Sequence, residues 1–168
     1  MCRFTNKPLI DITLQILSSG GQGTWREFVT LPNILKEFNP NLKGFSTGTG
    51  EFSSPNSQLN VAFPVSADAD ALKQAKVLVN RMKKNPRINF AEDWKMVTIF
   101  FGANDICSGQ CYNRADFSPK MHYKKLMVAL DYLQANMPRA FINLIPVLGE
   151  WLIGIQHLDC CSFFRCFC

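Results

Sequence analysis

Apolar positions along the chain follow two periods, and the alternation between them predicts the fold. Trp94 to Phe101 carries the unbroken run Met96-Val-Thr-Ile-Phe-Phe101, the pattern of a strand buried on both faces of a parallel sheet. Between Ser66 and Lys84, the residues Ala71, Leu72, Ala75, Leu78, Val79 and Met82 recur at three- and four-residue spacing. That spacing predicts an amphipathic helix, with Asp68 and Asp70 near its positive end and basic side chains near its negative end. Ser118-Pro119 opens a second long helix with Tyr123, Leu126, Met127, Leu130 and Leu133 on one face, stopped before Pro138. Arg139 to Leu148 then reads as another buried strand.

Upstream the pieces are shorter. Thr30 caps a helix with Pro32 in its first turn, and Asn39-Pro40 ends it. Leu42 to Thr47 and Gln58 to Ala62 read as short strands, separated by the turn-forming Thr47-Gly-Thr-Gly50 and Ser53-Ser-Pro-Asn56. Strand, helix and strand in succession make a βαβ unit, and two such units predict an α/β sheet with helices on its faces.

Composition narrows the class. In 168 residues, 47% are hydrophobic and 18% charged, which suits one globular domain and excludes disordered, fibrous and coiled-coil chains. The net charge of +5 is scattered. Only Arg81, Lys83 and Lys84 cluster, at a helix end where the dipole favours them, so no nucleic-acid partner is expected. Arg3, Lys7 and Asp11 interrupt the first apolar residues, which argues against a signal peptide. The stretch from Ala140 to Ile155 is broken by Asn143, Pro146, Gly149 and Glu150, so no transmembrane helix is expected.

Candidate chemistry sits at the end of the central strand, in Phe100-Phe-Gly-Ala-Asn-Asp-Ile-Cys107. Ligands of open α/β sheets bind beyond the carboxyl ends of the strands, where this loop falls. Gly, Asn and Asp are also turn residues, so local composition by itself favours a tight turn over a site.

Residues around the loop add a resemblance. Thr30-Leu-Pro-Asn-Ile-Leu35, Glu37-Phe-Asn-Pro40, Gly44-Phe-Ser-Thr-Gly-Thr-Gly50, Leu59-Asn-Val-Ala62, Asp93-Trp-Lys95, Gly102-Ala-Asn-Asp-Ile-Cys107 and Pro138-Arg-Ala-Phe-Ile-Asn143 occur in order. Together they resemble the membrane-associated phospholipase B group of the GDSL (SGNH) hydrolases. The resemblance implies a flavodoxin-like three-layer α/β/α sandwich with a parallel sheet, here truncated at both ends. It also implies hydrolysis of acyl esters of phospholipids, lysophospholipids and related lipids through a serine nucleophile, with no cofactor and no metal.

In that family the Asn of Gly-x-Asn-Asp completes the oxyanion hole. The resemblance therefore assigns Asn104 as oxyanion donor, Gly102 as the turn of the loop and Asp105 as its support. An amide can donate to a developing oxyanion, whereas an ionised aspartate cannot. Such a donor is worth about 3 kcal/mol.

Three family features are missing or altered. No Gly-Asp-Ser nucleophile motif occurs, and neither His122 nor His157 has an Asp three residues before it. No nucleophile and no base of the family kind are therefore assigned; His122 reads as a helical histidine and His157 lacks the family spacing. A family Gly that lends its N–H to the oxyanion hole maps onto Val65, where a β-branched side chain resists a positive φ. A missing central strand is also expected to leave sheet edges exposed. Ser46 and Ser66 are the remaining candidates for an unfamiliar nucleophile, though neither lies in Gly-x-Ser-x-Gly.

Of the seven cysteines, four crowd the end as Cys160, Cys161, Cys166 and Cys168. The related lipases carry a cysteine pair after Gly-x-Asn-Asp, which makes Cys107 and Cys111 a disulfide candidate, with free thiols as the alternative. The expected organisation is a non-family segment 1–18, a partial lipase domain 19–151 and a Cys-rich tail 152–168. Catalysis through serine is expected to be absent from the chain alone, and the competing reading is a non-catalytic lipid-binding or interaction fragment. The resemblance implies a phospholipid or lysophospholipid as partner, allows a membrane surface, and points to a membrane-associated protein whose domain faces outside. It leaves the oligomeric state open.

Overall fold

The computed structural model describes residues 9–13, 20–105, 109 and 112–147. Its centre is a three-stranded sheet in the order β1 (Leu9–Thr13), β2 (Trp94–Ile99), β3 (Ala140–Leu144), both pairings parallel. Val97 in β2 pairs with Ile12 on one side and Ile142 on the other. The crossovers between these parallel strands contain the helices α1 (Leu31–Phe38), α2 (Ala71–Lys84) and α3 (Pro119–Asn136). The α/β architecture read from the sequence is therefore the one observed.

Local chemistry explains the boundaries. The Thr30 side chain accepts the Asn33 N–H at 3.4 Å, and Pro32 stands in the first turn, so α1 begins where the sequence places it. The helix expected from Ser66 is shorter than its pattern. Asp68–Asp70 forms a tight 3-10 turn, and the regular helix starts at Ala71. The residues released from helical pairing bond to the loop after β2 instead.

The core forms where α2 meets α3 and the sheet. Ala71, Ala75, Leu78, Val79 and Met82 of α2 are buried with Leu126, Ala129 and Leu133 of α3 and with Val97, Ile99 and Phe101. Tyr123, expected on the packed face of α3, is 64% exposed.

Lys95, fully buried inside β2, donates its ammonium to the carbonyls of Phe90, Asp93 and Pro138 at 2.5, 2.8 and 2.7 Å. Burial lowers the pKa of this ammonium. The contact fastens the start of β2 to the segment leading into β3.

Three sequence expectations need correction. Leu42 to Thr47 is not a continuous strand; it holds isolated bridges, Ser46 to Gly20 in parallel among them, and Gly44 (φ 98°) and Gly48 (φ 65°) bend the segment. Gln58 to Ala62 is irregular, although Leu59 and Val61 are core residues. β3 is not buried on both faces: Phe141 is 59% exposed, and the strand's outer edge has no partner among the described residues. β2 itself is flanked on both sides, with residues 94–98 paired to β1 and residues 95–99 to β3.

Candidate functional site

β2 delivers its carboxyl end into Phe100, Phe101 and Gly102. Gly102 is buried with φ 107°, a region L side chains rarely enter. Space is equally short. A β-carbon there would lie 2.8 Å from Val147 Cγ2 and 2.9 Å from His122 Cε1. Glycine is what lets the His122 ring lie against the loop.

Two residues on, the Asn104 side-chain amide donates to the Ser66 carbonyl at 2.8 Å. The buried Asp105 carboxylate accepts the Asp68 N–H, at 3.0 Å through Oδ2 and 3.3 Å through Oδ1. Consecutive side chains of the loop therefore fix the segment before α2. That segment includes Val65, with φ 61° and 85% exposure. The valine stands in the left-handed region that its branching disfavours and that glycine enters freely. Gly102, Asn104, Asp105 and Val65 thus share one neighbourhood.

Ser66 is 1% exposed, and its hydroxyl is committed: it donates to the Phe63 carbonyl and accepts from Gln74 Nε2 at 2.9 Å. It is not poised as a nucleophile. Cys107, Cys111 and His157 lie outside the described residues. Among the described residues no three His, Cys, Asp or Glu side chains are grouped to hold a metal, and no helix is long and apolar enough to cross a membrane.

One pairing was hidden from the sequence. His122 Nδ1 lies 2.8 Å from Asp68 Oδ2, with the aspartate side chain fully buried and the histidine side chain 32% exposed. Asp68 Oδ1 is buried with no hydrogen-bond partner among the described residues. The bond to Asp68 raises the His122 pKa, outweighing the opposing effect of burial. Burial first, and the neighbouring Asp68 carboxylate second, push the Asp105 carboxyl up to about 6. Asp68 and His122 are 54 positions apart. A search for Asp three residues before His passes over them, and Asp68 reads from sequence as a charge at a helix start.

A parallel α/β sheet whose central strand ends in a glycine turn and a docked Asn-Asp pair places the candidate site beyond the strand's carboxyl end. The class so defined is an α/β protein with a strand-end site. The chain belongs to the GDSL-like lipase/acylhydrolase family, whose model matches residues 17–164. It is 47% identical over 131 residues to rat membrane-associated phospholipase B1, 48% over 132 residues to the mouse protein and 47% over 141 residues to the human one. These matches cover 78%, 78% and 84% of this chain but 9%, 9% and 10% of those proteins, so the chain spans about a tenth of the relatives it matches. No solved structure matches.

Proposed function

We propose that this chain is a phospholipase B-like lipase unit that holds the acyl ester of a phospholipid or lysophospholipid against the loop of Gly102, Asn104 and Asp105. The carrying observation is the docking of that loop on residues 65–68 through Asn104 and Asp105. Asn104 supplies an amide for the charge that develops on the ester carbonyl oxygen, on a support that does not reorganise during reaction. Gly102 makes the turn, and Asp105 holds the loop to the 68–70 turn. The Gly-Asp-Ser and Asp-x-x-His motifs of the serine route are not among these residues.

The test is binding of an ether-linked lysophospholipid, which cannot be hydrolysed, alongside turnover of the corresponding ester. Saturable binding supports the reading, and a chain that neither binds the ether lipid nor turns over the ester overturns it. Where the ester is turned over, Asn104→Ala should slow it about a hundredfold or more. Binding of the ether lipid with no ester turnover would identify a non-catalytic lipid-binding unit, the reading favoured by the exposed Val65 beside the loop.

A further inference from the structure

His122 and Asp68 have the geometry of a base and its orienting carboxylate, and nothing in the family's serine chemistry, as matched on this sequence, uses them. We propose that His122, oriented by Asp68, is a general base that activates water against an acyl ester held at the Gly102 to Asn104 loop, giving this chain a serine-independent esterase activity. The proposal rests on the reading of that loop as an ester site.

Four observations carry it. The 2.8 Å contact at Nδ1 places the proton of the neutral ring between His122 and Asp68, which leaves the Nε2 lone pair for chemistry. Asp68 is fully buried, so its charge acts through a poorly screening medium, while a third of the His122 side chain, 32%, stays open to solvent. The second Asp68 oxygen is buried without a hydrogen-bond partner among the described residues, with the Asp105 carboxyl as its neighbour, so the bond at Nδ1 is the geometrically formed side-chain contact of this carboxylate. Finally, the His122 ring touches the loop itself, where a β-carbon on Gly102 would stand 2.9 Å from Cε1.

The step balances without a co-reactant. His122 Nε2 takes a proton from water as the water oxygen bonds to the ester carbonyl carbon, and the carbonyl π electrons move onto its oxygen. When that tetrahedral species collapses, the carbon–alkoxy bond breaks. The leaving alkoxide then takes the proton from Nε2, giving acid and alcohol and restoring the neutral imidazole. Ser66, buried with its hydroxyl committed to Phe63 and Gln74, does not compete with water.

The experiment measures hydrolysis of 4-nitrophenyl butyrate by the purified full chain, His122→Asn and Asp68→Asn, with circular dichroism to establish folding. Asparagine keeps a group that can bond to Asp68 but has no basic nitrogen, so kcat/KM should fall about a hundredfold in His122→Asn. The unmutated chain should show a solvent deuterium isotope effect on kcat that folded His122→Asn lacks, a readout that a structural role would not move. If His122→Asn does not fold, the isotope effect in the unmutated chain and partial recovery of His122→Gly by added imidazole, above the rate of imidazole alone, decide the matter. An inert unmutated chain, an equal rate in folded His122→Asn, or inactivation by a serine-directed phosphonate would each overturn the proposal. Ester hydrolysis that needs His122 without binding of the ether lysophospholipid would retain this base and reject the lipid reading. Lipid binding with hydrolysis indifferent to His122 would do the reverse.

Discussion

Asn104 and Ser66 are joined by a 2.8 Å amide–carbonyl bond, which makes the loop after β2 and the residue following Val65 one mechanical unit. Strain at Val65 therefore bears on the loop that carries Asn104, although Val65 itself is exposed.

Val65 holds φ 61°, a conformation costing a branched L-residue about 1–2 kcal/mol. Val65→Gly removes that strain and adds the backbone entropy cost of glycine, so a net gain of about 1 kcal/mol is expected. A urea unfolding curve with a raised midpoint and unchanged slope is the predicted result. A lowered midpoint would show that the valine side chain contributes more than its strained backbone costs.

Gly102→Ala should act in the opposite direction. The added carbon meets Val147 and His122 at 2.8 and 2.9 Å on a backbone with φ 107°. Overpacking and strain together should destabilise the chain by about 3 kcal/mol. Thermal or urea unfolding checks this, and an unchanged midpoint would mean the loop shifts at negligible cost.

Asp105 and His122 make stability fall as pH rises, over two windows. The folded Asp105 carboxyl titrates near 6 against an ordinary 3.8, so its ionisation opposes folding across that interval. The folded His122 value is raised, so its stabilising charge is fully present below its ordinary 6.5 and lost as pH rises through the folded value. The charged groups acting on the ring are Asp68 from the 68–70 turn, Asp105 from the loop after β2 and Lys125 from α3. Relative to the unmutated chain, Asp105→Asn should gain stability between pH 3.8 and about 6. His122→Asn should show its largest deficit below pH 6.5, shrinking at higher pH. Urea midpoints measured across pH 4 to 9 test both, and parallel curves for variant and unmutated chain would refute the assignments.

Lys95→Met should cost about 2 kcal/mol, because it removes the ammonium from the carbonyls of Phe90, Asp93 and Pro138, of which the Asp93 contact is buried, while preserving most of the side-chain volume. Equilibrium unfolding checks this as well. A loss below about 1 kcal/mol would mean that water reaches those carbonyls.

Much of the frame was legible because period and capping are local signals. The run through Val97 and Ile99, the spacing from Ala71 to Met82, and the Thr30 cap each predict an element from residues a few positions apart. The turn at Gly102 was legible for the same reason, whereas Asn104 was singled out only through the family resemblance, because Gly, Asn and Asp in succession describe a plain turn locally. The His122–Asp68 pair was not, because it forms only when the crossover through α2 and the turn into α3 bring distant residues together. The start of α2 was misread because Ser66 and Asp68 fit a helical pattern yet bond to Asn104 and Asp105, a tertiary choice that periodicity does not encode. β3 was read as buried because its apolar residues give no sign of which strand edge remains without a neighbour.

β1 gives this chain a division of labour. Residues 9–13 lie before the region matched to the family, which begins at 17, yet they pair in parallel with the strand that carries the Gly102 loop. Backbone pairing asks for an extended segment of suitable length and little else, so β1 braces that loop through main-chain pairing with β2. Support then depends little on side-chain identity: the pairing constrains only the backbone of residues 9–13, while the character of the loop is set by residues 102–105.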